Sequence, residues 1–151
     1  KGAQKTIERL EKLAEKYPEN PEIAIPLAKG LFNLSNHQEE KGAQKTIERL
    51  EKLAEKYPEN PEIAIPLAKG LFNLSNHQEE KGALETMGRL EDLTEKYSEN
   101  PRIAILLAKG LFNLSNHQEE KGAQKTIERL EKLAERYPKI LKFRNAKKEE
   151  I

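Results

Sequence analysis

The residues of this 151-residue chain best suited to acid–base or metal chemistry are His37, His77 and His117, each standing two positions before a glutamate pair, Glu39-Glu40, Glu79-Glu80 or Glu119-Glu120. An imidazole beside carboxylates could move a proton or hold a divalent cation. The spacing argues against both. Each set recurs at an interval of 40 in the same local context, so equivalent atoms sit at least one helix spacing apart, about 8–10 Å. Metal–ligand bonds are about 2 Å. The histidines therefore read as polar turn residues, and the glutamates as first-turn carboxylates favoured by a helix dipole. A glycine-rich phosphate loop, a His-Glu-x-x-His helix and a nucleophile elbow are all missing from the sequence, and no cysteine is present. No catalytic, cofactor-binding or metal set is expected, and the chain does not read as an enzyme.

Two further patterns bear on function. Asn33-Leu34-Ser35, with copies at Asn73 and Asn113, matches the acceptor sequence for N-glycosylation. It is one match copied, and it falls at a helix end. Lys29, Lys69 and Lys109 each precede an asparagine, Asn33, Asn73 or Asn113, by four residues. That spacing puts both side chains on one face of a helix.

The elements that must position these residues follow from a repeat. Residues 1–40 and 41–80 are identical, 81–120 depart from the unit at positions 84, 85, 87, 88, 92, 94, 98, 102 and 106, and 121–138 supply half a unit more. Changes such as Gly88 in place of Glu48 resemble drift after duplication. Lys1 stands in mid-unit and is not Met, which reads as an excerpt of a longer array. Each unit encodes two helices. Tyr57-Pro58-Glu59-Asn60-Pro61 stops one and starts the next: Pro58 disfavours a helical Tyr57, Asn60 can cap, and Pro61 suits the first helical position. Helix A is expected from about Pro61 to Leu74, apolar almost all round, as for a helix squeezed between neighbours. Helix B, expected from about His77 to Tyr97 with Asn76 or Ser75 as cap, repeats at 36–57 with one apolar stripe, Ala43, Ile47, Leu50, Leu53, Ala54 and Tyr57. Its opposite face is charged, so it forms the outer layer. Pro26 and Pro66 fall inside helix A, which requires a kink or a later start. Gly42 and Gly82 mark either a close approach or a later start of helix B.

Composition narrows the function classes. Twenty-seven Lys and Arg balance 26 Asp and Glu, which removes the electrostatic case for a nucleic-acid binder. Repeats that read bases also vary their reading residues from unit to unit, and identical copies cannot spell a sequence. The longest apolar stretches, Ile23 to Ala28 and Ile103 to Ala108, fall far short of the roughly 20 residues of a membrane span, and no leader pattern is visible. These features favour a cytoplasmic setting and exclude membrane insertion.

The unit resembles the tetratricopeptide repeat family of helix–turn–helix repeats through Ala64, Leu67, Ala68 and Leu71 on helix A and Leu50, Leu53, Tyr57 and Pro58 at the end of helix B. The unit is about six residues longer than the family's ~34 and lacks its helix A tryptophan; Sel1-like and HEAT-type repeats are near alternatives. The resemblance implies an all-α solenoid, a superhelix of stacked antiparallel hairpins with about seven helices, whose A helices line a concave groove. Some members grip a peptide carboxylate there with Lys and Asn. Carried onto this chain, it implies a mixed peptide-binding groove: apolar at Ile25, Ile65 and Ile105, polar at Lys29, Lys69 and Lys109 and at Asn33, Asn73 and Asn113. The expected function is a protein–protein interaction scaffold for a peptide or protein segment. The alternative is a structural spacer without a ligand. At the ends, helix 3–17 should leave part of its Ile7, Leu10, Leu13 and Tyr17 stripe uncovered, which allows end-to-end self-association. Residues 139–151 leave the repeat and read as a C-terminal cap or a basic tail.

Overall fold

The computed structural model describes residues 2–138; the expected cap or tail at 139–151 lies outside them. Among the described residues there are seven helices and no strand: α1 (Gly2–Lys16), α2 (Pro21–Asn36), α3 (Glu40–Lys56), α4 (Pro61–Asn76), α5 (Glu80–Lys96), α6 (Pro101–Asn116) and α7 (Glu120–Arg136). The even-numbered helices are the A helices of the repeat. The fold is all-α, a solenoid-type arrangement of helical hairpins. Contacts divide the described residues into two compact units, one up to Gly70 and one from Leu71, with the division falling inside α4. None of the described helices is long and apolar enough to cross a membrane.

In the first unit α2 packs against both α1 and α3. Its Ala24, Leu27, Ala28, Leu31 and Leu34 are buried, as the apolar-all-round pattern requires. Glycine sets how closely the layers approach. A Cβ on Gly30 would stand 3.4 Å from Ile7, and one on Gly70 would stand 3.2 Å from Ile47. An isoleucine from the preceding B helix thus lies directly over each glycine of an A helix, and Ile47 is fully buried as a result. The second unit repeats the scheme: α6 packs on α5 and α7, and Met87 takes the isoleucine's place over Gly110.

The hairpin turns differ from expectation at one end. The Asn-Pro start is as read: Asn20 and Asn100 cap α2 and α6 by accepting the N–H of Glu22 and Arg102, each at 3.0 Å. Helix A, however, runs on through Asn36, Asn76 and Asn116, and helix B begins at Glu40, Glu80 and Glu120 rather than near His77. The cap is therefore not Asn76 or Ser75. The buried Ser35, Ser75 and Ser115 instead donate back to the carbonyls of Phe32, Phe72 and Phe112 at 2.7 Å, which keeps them inside the helix. The prolines do not delay helix A either, because α2 and α4 start at Pro21 and Pro61 and contain Pro26 and Pro66.

The second glycine row has its own cause. At the helix B start, Gln38, Gln78 and Gln118 fold their side chains over Gly42, Gly82 and Gly122, at 3.2–3.4 Å from where a Cβ would stand. Each amide oxygen then accepts the hydroxyl of a threonine eight residues on: Thr46 at 2.5 Å, Thr86 at 2.6 Å and Thr126 at 2.6 Å. Those threonines are buried, so the glutamine satisfies a hydroxyl that water cannot reach. Gln78→Ala is expected to destabilise the chain by about 1–3 kcal/mol by orphaning Thr86, and adding Thr86→Val should recover most of the loss in urea denaturation followed by circular dichroism. Gly88, by contrast, has open space where a Cβ would stand; Gly88→Ala should raise the same urea midpoint, with a gain of about 0.5–1 kcal/mol from helix propensity alone.

Candidate functional site

On α2 the residues Ile25, Lys29 and Asn33 follow one another at helical spacing; Ile25 is half-buried and the other two are exposed. Also in the first unit, Ile65 and Lys69 are half-buried. In the second unit Asn73, Ile105 and Asn113 are half-buried and Lys109 is exposed. The β-branched isoleucine gives each face an apolar foot, while the lysine stem extends from it and keeps its ammonium in water. Among the described residues, no carboxylate lies within ion-pair distance of Lys29 or Lys109.

The asparagines are not equivalent donors. Asn113 donates its amide to Asn76 Oδ1 at 3.2 Å, so this member of the row spends a donor on linking successive A helices. Beside it lies a cleft of about 550 Å³ with a mixed lining that includes Asn76, Glu79, Glu80, Ala83, Leu114 and His117. Glu80, one of its lining residues, accepts the Gln118 amide at Oε2 at 3.1 Å. The histidines sit where a turn residue should: His37 and His117 are exposed C-cap residues, with N–H groups donating to Leu34 and Leu114 at 3.0 Å. Among the described residues no three His, Cys, Asp or Glu side chains could hold a metal ion together. Within the glycosylation pattern Asn33 is exposed and Asn73 and Asn113 are half-buried, while Ser35, Ser75 and Ser115 are buried and hydrogen-bonded.

Sequence reasoning missed the polar links between successive B helices. Arg49 binds Glu11 through two hydrogen bonds, 3.1 and 2.6 Å, and Arg129 binds Glu91 at 2.9 and 2.7 Å. Bidentate pairs of this kind fix orientation as well as distance. Just past each helix C-terminus the pairing continues, with the Tyr57 hydroxyl donating to the Pro18 carbonyl at 2.6 Å and that of Tyr137 to the Ser98 carbonyl at 2.5 Å. The separations of 38 and 39 residues were visible only as a near-match to the period of 40.

Comparison with known proteins gives no match, whether to a protein family, to a curated protein sequence or to a solved structure.

Burial pushes the Tyr97 phenol above its ordinary value of 10.0, because it leaves the charged phenolate poorly solvated. The folded state therefore holds this proton more tightly than the unfolded state. Its contribution to stability is fully present below pH 10 and is lost as pH rises through the higher folded value. Thermal melts of the wild type between pH 9 and 11.5 should accordingly fall more steeply than those of Tyr97→Phe; parallel curves would contradict this assignment.

Proposed function

We propose that the chain is a protein–protein interaction scaffold whose A helices offer an Ile-Lys-Asn face to an extended or helical segment bearing acidic and apolar side chains. One observation carries this reading: Lys29 and Lys109 are exposed cations without a carboxylate partner among the described residues, each four residues from a half-buried isoleucine. A half-buried isoleucine still has apolar surface to lose to a ligand, and an uncompensated ammonium beside it favours a carboxylate. The resemblance of the unit to the tetratricopeptide repeat supports the same face, since that family binds peptides on its A helices. Repetition adds multivalency, because identical faces suit a ligand with repeated acidic and apolar positions.

The lack of any convergent set of catalytic side chains in the sequence is in keeping with binding rather than reaction. The rival is a spacer, whose polar A-helix residues only solvate an otherwise apolar helix. The Asn113–Asn76 bond favours it to a degree, as a polar side chain there has a structural use.

Panning a random peptide library against the intact chain and against the Lys29→Glu/Lys69→Glu/Lys109→Glu variant separates the two. The binding reading expects acidic, apolar-spaced peptides to be enriched on the wild type and to bind the variant at least about tenfold more weakly, or 1.4 kcal/mol, with helical circular dichroism unchanged. Enrichment of no peptide class, or equal binding to both, would leave the spacer.

A further inference from the structure

Apart from Arg136 in place of Lys56, α3 and α7 have the same sequence, whereas α5 differs from α3 at six positions. Two of the six, Met87 and Thr94, are buried. The other four, Leu84, Glu85, Gly88 and Asp92, share the outward half of the helix: Glu85 and Asp92 are exposed, Leu84 and Gly88 half-buried. Along the crest of that face the change is one of charge. Lys45, Glu48 and Lys52 on α3 and Lys125, Glu128 and Lys132 on α7 are all exposed, and α5 puts a glutamate, a glycine and an aspartate in their places. Gly88 is an open notch, since a Cβ there would meet nothing within 4 Å.

These charges are not spent inside the molecule. Among the described residues Glu85, Asp92, Lys125 and Lys132 make no ion pair, while Glu91 and Glu95 are engaged by Arg129 and Arg136. Those two pairs, followed by the Tyr137 hydroxyl on the Ser98 carbonyl, advance in the same direction along both helices, so α5 and α7 lie side by side and parallel within the second unit. A two-fold axis along their common direction, set over the outer face, exchanges them. Helix α5 of one copy then faces α7 of a second copy and runs parallel to it, with positions 85, 88 and 92 opposite 125, 128 and 132 or within a turn of them. Had α5 kept the residues of α3, lysine would face lysine and glutamate would face glutamate. With the residues present, Glu85 meets Lys125 of the second copy, Asp92 meets its Lys132, and the Gly88 notch leaves room for its Glu128 with no like charge opposite. All three changes therefore turn a like-charge contact into an opposite or neutral one, and the symmetry makes each contact twice.

We propose that the outer face of α5 and α7 is an interface between two copies of this chain, α5 of each docking on α7 of the other. Such an interface is isologous and closes at the dimer. Its strength comes from exposed ion pairs, so it is weak and sensitive to salt. It uses the B helices and not the Ile-Lys-Asn row of the A helices, so it stands or falls independently of the peptide-binding reading. Helix α3 carries the same lysines and is the competing occupant, which the variants below separate.

The test is sedimentation of the full chain in about 10 mM and about 1 M NaCl, where the screening length changes from about 30 to about 3 Å. The proposal expects a monomer–dimer equilibrium at low salt that is at least about tenfold weaker at high salt. Glu85→Lys/Asp92→Lys should weaken the low-salt dimer at least about tenfold without loss of helical circular dichroism, because α3 already carries lysine at both places. Lys125→Glu/Lys132→Glu should do the same, and Lys45→Glu/Lys52→Glu should leave the dimer unchanged. Combining the first two pairs in one chain restores every opposite-charge contact and should restore the dimer, which a general loss of folding would not produce. A monomer at low salt up to about 1 mM would overturn the proposal and leave the face to another partner or to solvent. A dimer indifferent to Glu85 and Asp92, one lost through Lys45 and Lys52 instead, or no recovery in the combined variant would each overturn it as well.

Discussion

An α-helix that is apolar on nearly every side cannot stand at a surface, and the rest of this structure follows from giving the A helix cover on two sides. Burying a leucine stabilises by roughly 1.5–3 kcal/mol, and α2 buries Leu27, Leu31 and Leu34 together with Ala24 and Ala28. Within the first unit α1 on one side and α3 on the other provide that cover; α5 and α7 do the same for α6 in the second. A single hairpin leaves half of the A helix exposed, which is why stability in such arrays is a property of neighbours and not of one repeat. The small residues decide the spacing. Without a Cβ at Gly30, Gly70 and Gly110, the backbone comes close enough for Ile7, Ile47 and Met87 to lie across it.

Apolar layers alone would allow one hairpin to slide on the next, because leucine–leucine contacts carry little direction. The polar links supply the direction. The bidentate Arg49–Glu11 and Arg129–Glu91 pairs and the tyrosine–carbonyl bonds that follow them fix the register of one B helix on the preceding one. As half-exposed pairs they contribute modest stability, about 0–1 kcal/mol each. Their larger effect is on specificity, since copies of identical sequence have several apolar registers in which to pack and far fewer that also satisfy a fork-shaped guanidinium. The Gln-Gly-Thr arrangement does similar work inside one helix, where it fixes the turn that joins A to B.

Much of this was legible beforehand. The period of 40, the A and B alternation and the Asn-Pro starts are written in Asn60, Pro61 and the stripe from Ala43 to Tyr57. The structure agrees on each count to within a few residues. The A-to-B turn was misread because Ser75, Asn76 and His77 are all credible turn residues, and nothing local says that Ser75 turns inward to its own helix. Gly42 and Gly82 were seen as meaningful without their reason, since a glutamine four residues earlier and a threonine four later look like ordinary polar surface. The candidate face was legible only as a helical row. Its lysines and isoleucines could be placed together from spacing, but the engagement of Asn113 by Asn76 could not.

Sequence by itself determined which residues are helical and which faces are apolar, because those depend on neighbours three or four positions away. Tertiary structure alone decided what identical residues become. Leu13 and Leu53 share every local neighbour, yet one is exposed and the other buried. Arg9 and Arg49 likewise share a sequence context, and only Arg49 meets a glutamate of the preceding helix. Burial and pairing are set by what packs against a helix from some forty residues away, and identical local sequences carry no mark of it.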